Sequence, residues 1–448
     1  MSLVNELFSG IEKSLLGLIP DIINDNIGKG SSNDVMPGDV EIKNITLISQ
    51  DGQRKYNLIG QAISFDVYES IMSPVIFGEL IIADSIGLQQ SFPIIGEEYV
   101  LLEFATPKSK ETSRYLFRTD DVRNKKVSEN NKKVTYTIPL YSAELIKNAS
   151  RLVSRPYENT PSALIKEIMS EYIGTEKPVN IEDTTGVEKG KITRMQPFKA
   201  IDFLRYRSTS ARYVSSSFVF FENRKGYHFV SIERMLNEGG RVAGFGTDKE
   251  FFFDTSRKDN VKDVTMRNII AYNQMSGGSP LAKIQTGGLT AVQQSYDYVS
   301  GGLQRVTYTD NVGGDKFKFG VDNAAGQNST DFVRLHGKTT AVTNIRPVSA
   351  DKPANTLTEA MVARRAFATK ISQNITQIHI YGDTELTVGD VIKCNFPAAI
   401  DAENNKGWSR LDSGNYLISK LRHTILIGDR PQHSISLELI RGFMSETI

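Results

Sequence analysis

The sequence predicts a mainly β protein with an α component, an α+β chain of several domains. Three observations carry that expectation. Runs rich in β-branched and aromatic residues, punctuated by Gly, Asn, Pro and Asp, fill residues 39–142. Similar runs return after residue 372, and helical periodicity is confined to short intervals before and between the two β regions. The chain is 448 residues long, which suits about three domains of about 150 residues each.

Residues 1–38 are expected to form an amphipathic helix and a linker. Val4, Leu7, Phe8, Ile11, Leu15, Leu18, Ile19, Ile22 and Ile23 recur at helical spacing over Leu3–Ile23. Glu6, Glu12 and Lys13 interrupt the apolar run and no basic start precedes it, so it is not a secretion signal. Such a helix needs a surface to lie on: its own body, a partner protein or a membrane. No run of about 18 apolar residues occurs, so no transmembrane helix and no stable membrane association are expected.

Residues 39–150 read as the first β domain. "VEIKNITLIS", "YNLIGQAISFDVYES", "VIFGELIIADS", "EYVLLEFATP", "RYLFRTDDVRN" and "KKVTYTIPLYS" are strand-like, enough for a sandwich or barrel. Ile63, Phe65 and Val67 alternate with Ser64 and Asp66, which gives that strand one wet face; "YVLLEF" has none and reads as central. Residues 151–255 read as a middle α/β domain. Thr160 caps a helix starting at Pro161, with Leu164, Ile165, Ile168, Met169 and Tyr172 as its face and Gly174 as its stop. A second helix is expected from about Pro197 to Ala211, followed by a hairpin turning at Asn223 to Gly226.

Residues 256–448 read as a second β domain with a Gly-rich insertion at about 276–331. Gly-Gly pairs start there at Gly277, Gly287, Gly301 and Gly313, marking turns between short strands or surface excursions. Thr356 and Glu359 form a capping box ahead of a helix whose stripe is Ala360, Ala363, Phe367 and Ile371. The strands "QNITQIHIYGD", "DVIKCNFP", "GNYLISKLRHTILI" and "HSISLELIRG" complete the chain. "GEEYVLLEF" and "GDVIKCNF" echo each other weakly, as a duplication would.

Chemistry is sparse. The formal charge of +1 gives no global pull on polyanions. The lone Cys394 excludes an internal disulfide and a multi-cysteine zinc site, and its strand context predicts inert packing. His228, His336, His379, His423 and His433 are scattered, with no HExxH pair. No phosphate-binding loop and no GxSxG elbow appear, so no catalytic, cofactor-binding or metal-ligating residue is assigned. Between Lys108 and Lys133 there are nine Lys/Arg against four Asp/Glu. That run is a solvated hairpin tip, or a basic rim facing an acidic partner or transiting DNA.

The octet "KGYHFVSI", Lys225–Ile232, meets six of the eight positions of a single-strand RNA-recognition motif, failing at His228 and Ile232. The domain that carries that motif needs a stacking aromatic on a neighbouring strand and a helix after the octet. "GKITRM" supplies no aromatic, and "NEGGRVAGFG" is too rich in glycine for a helix. Sequence-specific RNA binding is therefore not expected.

Several stretches together resemble one family. "FDVYESIMSPVIFGELIIADSIGL" with "FPIIGEEYVLLEFATP" is similar to the first tube-like domain of central baseplate hub proteins from contractile-tailed bacteriophages. "QPFKAIDFLRYRSTSARYVSSSFVFFENRKGYHFVSIERM" resembles that family's middle segment. "GDTELTVGDVIKCNFPA" and "SGNYLISKLRHTILIGDRPQHSISLELIRG" resemble its last strands, so the likeness spans about residues 39 to 445. The N-terminal helix and the Gly-Gly segment are departures from the family pattern.

The resemblance implies two tail-tube-like β domains per chain and a homotrimer whose ring joins a six-fold tail tube to a three-fold spike. Its partners would be the central spike protein, the tail tube protein, and the tape-measure and other baseplate proteins. Its place would be the virion, after assembly in the bacterial cytoplasm. The resemblance carries no catalytic residue and no cofactor, and the chain ends at Ile448 without room for a lysozyme segment. The rival readings are the hub of a phage-derived contractile injection system and a tail-associated cell-wall hydrolase.

Overall fold

The computed structural model describes residues 36–107, 109, 111–127, 133–213, 216–237, 246–253, 267–276, 290–296, 303–309, 339–345, 374–397 and 412–441. It also describes the single positions 360, 364, 367, 368, 371, 408 and 409. The expected helix Leu3–Ile23, the Thr356–Glu359 capping box and most of the Gly-Gly segment lie outside those residues.

The first β region supplies β1 (Glu41–Ile48), β2 (Lys55–Asn57), β3 (Ala62–Ser70), β4 (Phe77–Asp84), β5 (Tyr99–Ala105), β6 (Ser113–Thr119), β7 (Arg123–Val127) and β8 (Val134–Ser142). The middle region supplies β9 (Val153–Asn159), β10 (Val179–Ile181), β11 (Thr184–Thr185), β12 (Glu188–Met195), β13 (Thr209–Ser210), β14 (Phe218–Asn223) and β15 (Gly226–Ser231). Then come β16 (Gly246–Phe252), β17 (Ile269–Ser276), β18 (Thr290–Tyr296), β19 (Leu303–Thr309), β20 (Thr339–Ile345), β21 (Asn374–Tyr381), β22 (Val391–Asn395), β23 (Gly414–Leu426) and β24 (Gln432–Ile440).

From β2 an antiparallel ladder runs through β1, β5, β6, β8, β4 and β3 to β23. A bridge from Asp39 to Gln432 then returns the start of β1 to β24, the neighbour of β23. The ladder wraps round one core, which includes Ile45, Phe65, Leu80, Leu102, Phe117, Ile138 and Ile425. A second ladder runs β16, β22, β23, β24, β21, β17, with β16 parallel to β22. The bridge Phe252 to Asn268 closes it. Its core includes Phe251, Ile378, Ile392, Phe396, Leu417, Leu437 and the helical Phe367 and Ile371.

β23 belongs to both ladders. On one edge it keeps β24 along its length; on the other, Gly414–Leu417 pair with β22 and Lys420–Leu426 pair with β3. The exchange falls at a register shift between Ile418 and Lys420. An extra residue there bends and twists a strand, which is what changing partners requires.

Between the ladders sits the hairpin β14–β15, turning at Asn223 to Gly226 as its sequence predicts. One of its faces, with Phe218, Phe220, Tyr227 and Phe229, packs on the helices Pro161–Ile168 and Pro197–Arg205. The other face, with Val219, Phe221 and Val230, joins the core of the second ladder. The first helix starts as expected: the Thr160 hydroxyl accepts the Ala163 N–H at 3.4 Å, and Pro161 follows. It continues as one π-turn, Met169–Ile173, and stops at Gly174 with φ 54°.

Several local expectations are corrected. β3 lacks the expected wet face: Ser64 and Asp66 are buried, Arg422 (3.2 Å) and Thr424 (2.7 Å) of β23 covering the Asp66 carboxylate, while Ile63, expected on the apolar face, is exposed. β5 lies mid-sheet but is half-exposed on one side, at Tyr99, Leu101 and Glu103. The helix expected to reach Ala211 ends at Arg205, where the Ser208 hydroxyl bonds the Leu204 carbonyl and Thr209–Ser210 pair with β11. A six-residue helix, Ile232–Asn237, directly follows β15, against the expectation drawn from the downstream glycines. It ends before them.

Candidate functional site, a buried polar seam

The loop Gly382–Asp390, between β21 and β22, is bonded to both other parts of the chain. Toward the first ladder, the Thr384 N–H donates to Thr106 Oγ1 (3.0 Å), and its hydroxyl donates to the Glu111 carbonyl (3.1 Å). Deeper in, Glu69 at the end of β3 is fully buried. Its carboxylate accepts from the Tyr115 hydroxyl (3.0 Å), the Thr387 hydroxyl (2.6 Å) and the Val388 N–H (3.2 Å). Toward the middle hairpin, Asn223 Nδ2 donates to the Val388 carbonyl at 3.0 Å. Burial raises the Glu69 carboxyl above its ordinary range against these three donors.

A second clasp ties the middle region to the first ladder. Lys177 Nζ lies 2.8 Å from Glu144 and 2.5 Å from Glu222, whose other oxygen accepts the Ile76 N–H at 3.2 Å. Burial pushes Glu222 up; burial pushes Glu144 the same way, but Lys177 outweighs it and the net shift is down. The difference follows depth, since the Glu222 side chain is 1% exposed and that of Glu144 8%.

Two histidines form the third feature. His423 Nδ1 and His433 Nε2 are 2.9 Å apart, both rings are buried, and Phe104 meets each edge-on. One ring donates and the other accepts, so at least one proton is absent. The backbone fits His433 closely: a Cβ on Gly382 would stand 2.1 Å from His433 Nδ1. Gly382→Ala is therefore expected to lose about 2–3 kcal/mol in urea unfolding, the upper range of overpacking. Gly428→Ala, with nothing within 4 Å of its Cβ, should change stability by less than about 0.5 kcal/mol.

These groups hold structure together. Glu69, Glu144 and Glu222 spend their oxygens on hydroxyls, backbone N–H groups and one ammonium, all from other segments of the chain. Among the described residues no His/Cys/Asp/Glu group is arranged to hold a metal ion. Cys394 is fully buried, and burial pushes its thiol well up, away from reactive thiolate. Tyr227 and Phe229 of the octet are buried against the helices, so neither can present a ring to a base.

The basic run is dispersed by the sheet. Arg114 pairs with Glu103 (3.1 Å), Arg118 lies over the Tyr99 ring (4.3 Å), and Arg123 pairs with Asp120 (2.8 Å). Among the strands of this run, β7, with Arg123, Lys125 and Lys126, is exposed at every residue. Among the described residues no helix is long and apolar enough to cross a membrane.

No protein-family model and no curated protein sequence matches the chain. Solved structures do match. The tail protein from Neisseria meningitidis MC58 superposes with a TM-score of 0.53, over 89% of this chain and 96% of its own, at 9% identity. The chain shares the fold of that tail protein. The 43 kDa tail protein of prophage MuSo2 from Shewanella oneidensis repeats the likeness, with a TM-score of 0.52 over 89% of this chain and 98% of its own, at 10% identity. Coverage of that extent means the tail-protein fold takes in more than one β region.

Sequence reading missed Glu69, Glu222 and the histidine pair as organising residues of this tail-protein fold. A signal was present for two of them. Glu222 follows four apolar residues in "FVFFEN", and Glu69 follows Val67 and Tyr68 in "FDVYES"; each puts a carboxylate beside apolar strand residues, where a buried charge demands partners.

Proposed function

We propose that this chain is a structural hub of a phage tail baseplate, a homotrimeric ring that adapts a six-fold tail tube to a three-fold central spike. The observation that carries the reading is β23, which completes two ladders at once. Three chains, each presenting two such β units, offer six in a ring. The tail-protein fold supports the reading, as does a buried polar seam in which Glu69, Glu144 and Glu222 spend their oxygens on structural bonds.

On this reading the two ladders are tail-tube-like domains, with a middle domain over about residues 151–255. The hub contacts the spike and tube proteins, meets the tape-measure and other baseplate proteins, resides in the virion and catalyses no reaction. Trimerisation needs an obligate interface above about 2,000 Å² in total. Light scattering behind size exclusion, alone and with the spike protein, is expected to give three copies. A monomer or six copies at this position in assembled particles would refute it. Turnover of cell-wall material by the pure chain, abolished by one carboxylate change, would favour the hydrolase reading instead.

A further inference from the structure

One group in the seam is poorly served. Asp390 is buried; its Oδ2 accepts the Thr387 N–H at 3.1 Å, while Oδ1 has no hydrogen bond and stands 3.6 Å from Lys225 Nζ. Glu69, from β3, grips the same turn through Thr387 and Val388. The other polar groups facing the turn are Tyr115 from β6, and His228, Asn223 and Arg224 from the hairpin. Arg224 is itself paired with Glu111 at 2.5 Å. Within the loop, Asp383 and Glu385 are taken by Lys249. Closing the loop on the hairpin thus buries two carboxylates, and the ammonium nearest Asp390 keeps about a third of its side chain in water (35%).

We propose that the Thr387–Asp390 turn is a proton-operated latch, seated on the hairpin turn Asn223–Gly226 while Asp390 is protonated and loosened when Asp390 ionises. The geometry supplies the reason: against burial and the neighbouring Glu69, an ionised Asp390 has one close hydrogen bond, from Thr387 N–H, and a long ion pair at 3.6 Å to the partly solvated Lys225. Burial foremost raises its carboxyl to about 7, with Glu69 adding and Lys225 opposing. An opened turn exposes Asp390 to water, where its ordinary value is 3.8. Opening therefore releases a proton between those values, and becomes easier as pH rises through that window and up to about 7. The latch governs how firmly the middle hairpin is held to the second ladder, whatever assembly the chain enters.

Hydrogen exchange of the Val388 amide, which donates to Glu69, reads the latch in the intact chain. After correction for intrinsic rates, its protection is expected to fall on the order of tenfold or more from about pH 5.5 to about pH 8. The Ile435 and Leu437 amides of β24 should show no such fall. Asp390→Asn keeps an acceptor for Thr387 N–H and should flatten the Val388 response. Constant protection at Val388, or an equal fall in Asp390→Asn, would overturn the latch. If that variant proves loose at every pH, titration of the Asp390 carboxyl in the unaltered chain decides. A midpoint near 7 supports the latch, and one below about 4.5 overturns it.

Discussion

Lowering the pH from 7 to 5 is expected to destabilise this protein, although acid neutralises its buried carboxylates. Among the described residues four histidines are buried: His228, His379, His423 and His433. Burial, the leading cause in each, holds His228 and His433 down to about 3 and His379 to about 4. His423 is also depressed, by burial first and then by His433 beside it. These groups stay neutral in the fold and charge on unfolding, so their stability is complete above their ordinary 6.5 and drains away as pH falls toward the folded values. Each contributes about 1.4 kcal/mol per pH unit in that window.

Glu69, Glu222 and Asp390, all raised by burial, act the other way and hold protons in the fold as pH falls. Four histidines against three carboxylates leave at least about one proton, or about 1.4 kcal/mol per pH unit near pH 5, in favour of unfolding. Urea midpoints at pH 7 and pH 5 measure it. Changing both His423 and His433 to Asn removes two of the four, so the slope should flatten or reverse. Equal stability at the two pH values, or an unchanged slope in the double variant, would contradict the balance.

The second large effect belongs to Lys177. Lys177→Met leaves Glu144 and Glu222 facing each other without their shared cation, and Glu222 is the deeper of the two. Removing one partner of a buried pair costs about 3–5 kcal/mol. With Lys177 itself 35% exposed, about 3 kcal/mol is expected. The loss should centre on the middle region and on Ile76, whose N–H depends on Glu222. Adding Glu144→Gln and Glu222→Gln removes the uncompensated charges and should restore most of the stability. If the single change costs under about 1 kcal/mol, or the triple variant is as weak as the single, the clasp is not electrostatic in origin.

Elements whose causes are local were legible in the amino-acid order alone. Strands announced themselves because β-branched and aromatic runs between turn residues have few other conformations open to them. Thr160 before Pro161, and Gly174 at the far end, marked a helix because capping and left-handed stops involve neighbours within one turn. The hairpin at Asn223 to Gly226 was legible for the same reason. What a strand packs against was not legible. Asp66 looked solvated because its cover, Arg422, lies 356 residues away.

Contacts between distant segments make β23 serve two ladders, bury both faces of the β14–β15 hairpin, and turn Glu69 and Glu222 into ties between regions. Alternation along a strand reports which residues are apolar. It carries no record of which distant segment arrives to cover a polar one, and burial, bonding and proton affinity all depend on that arrival.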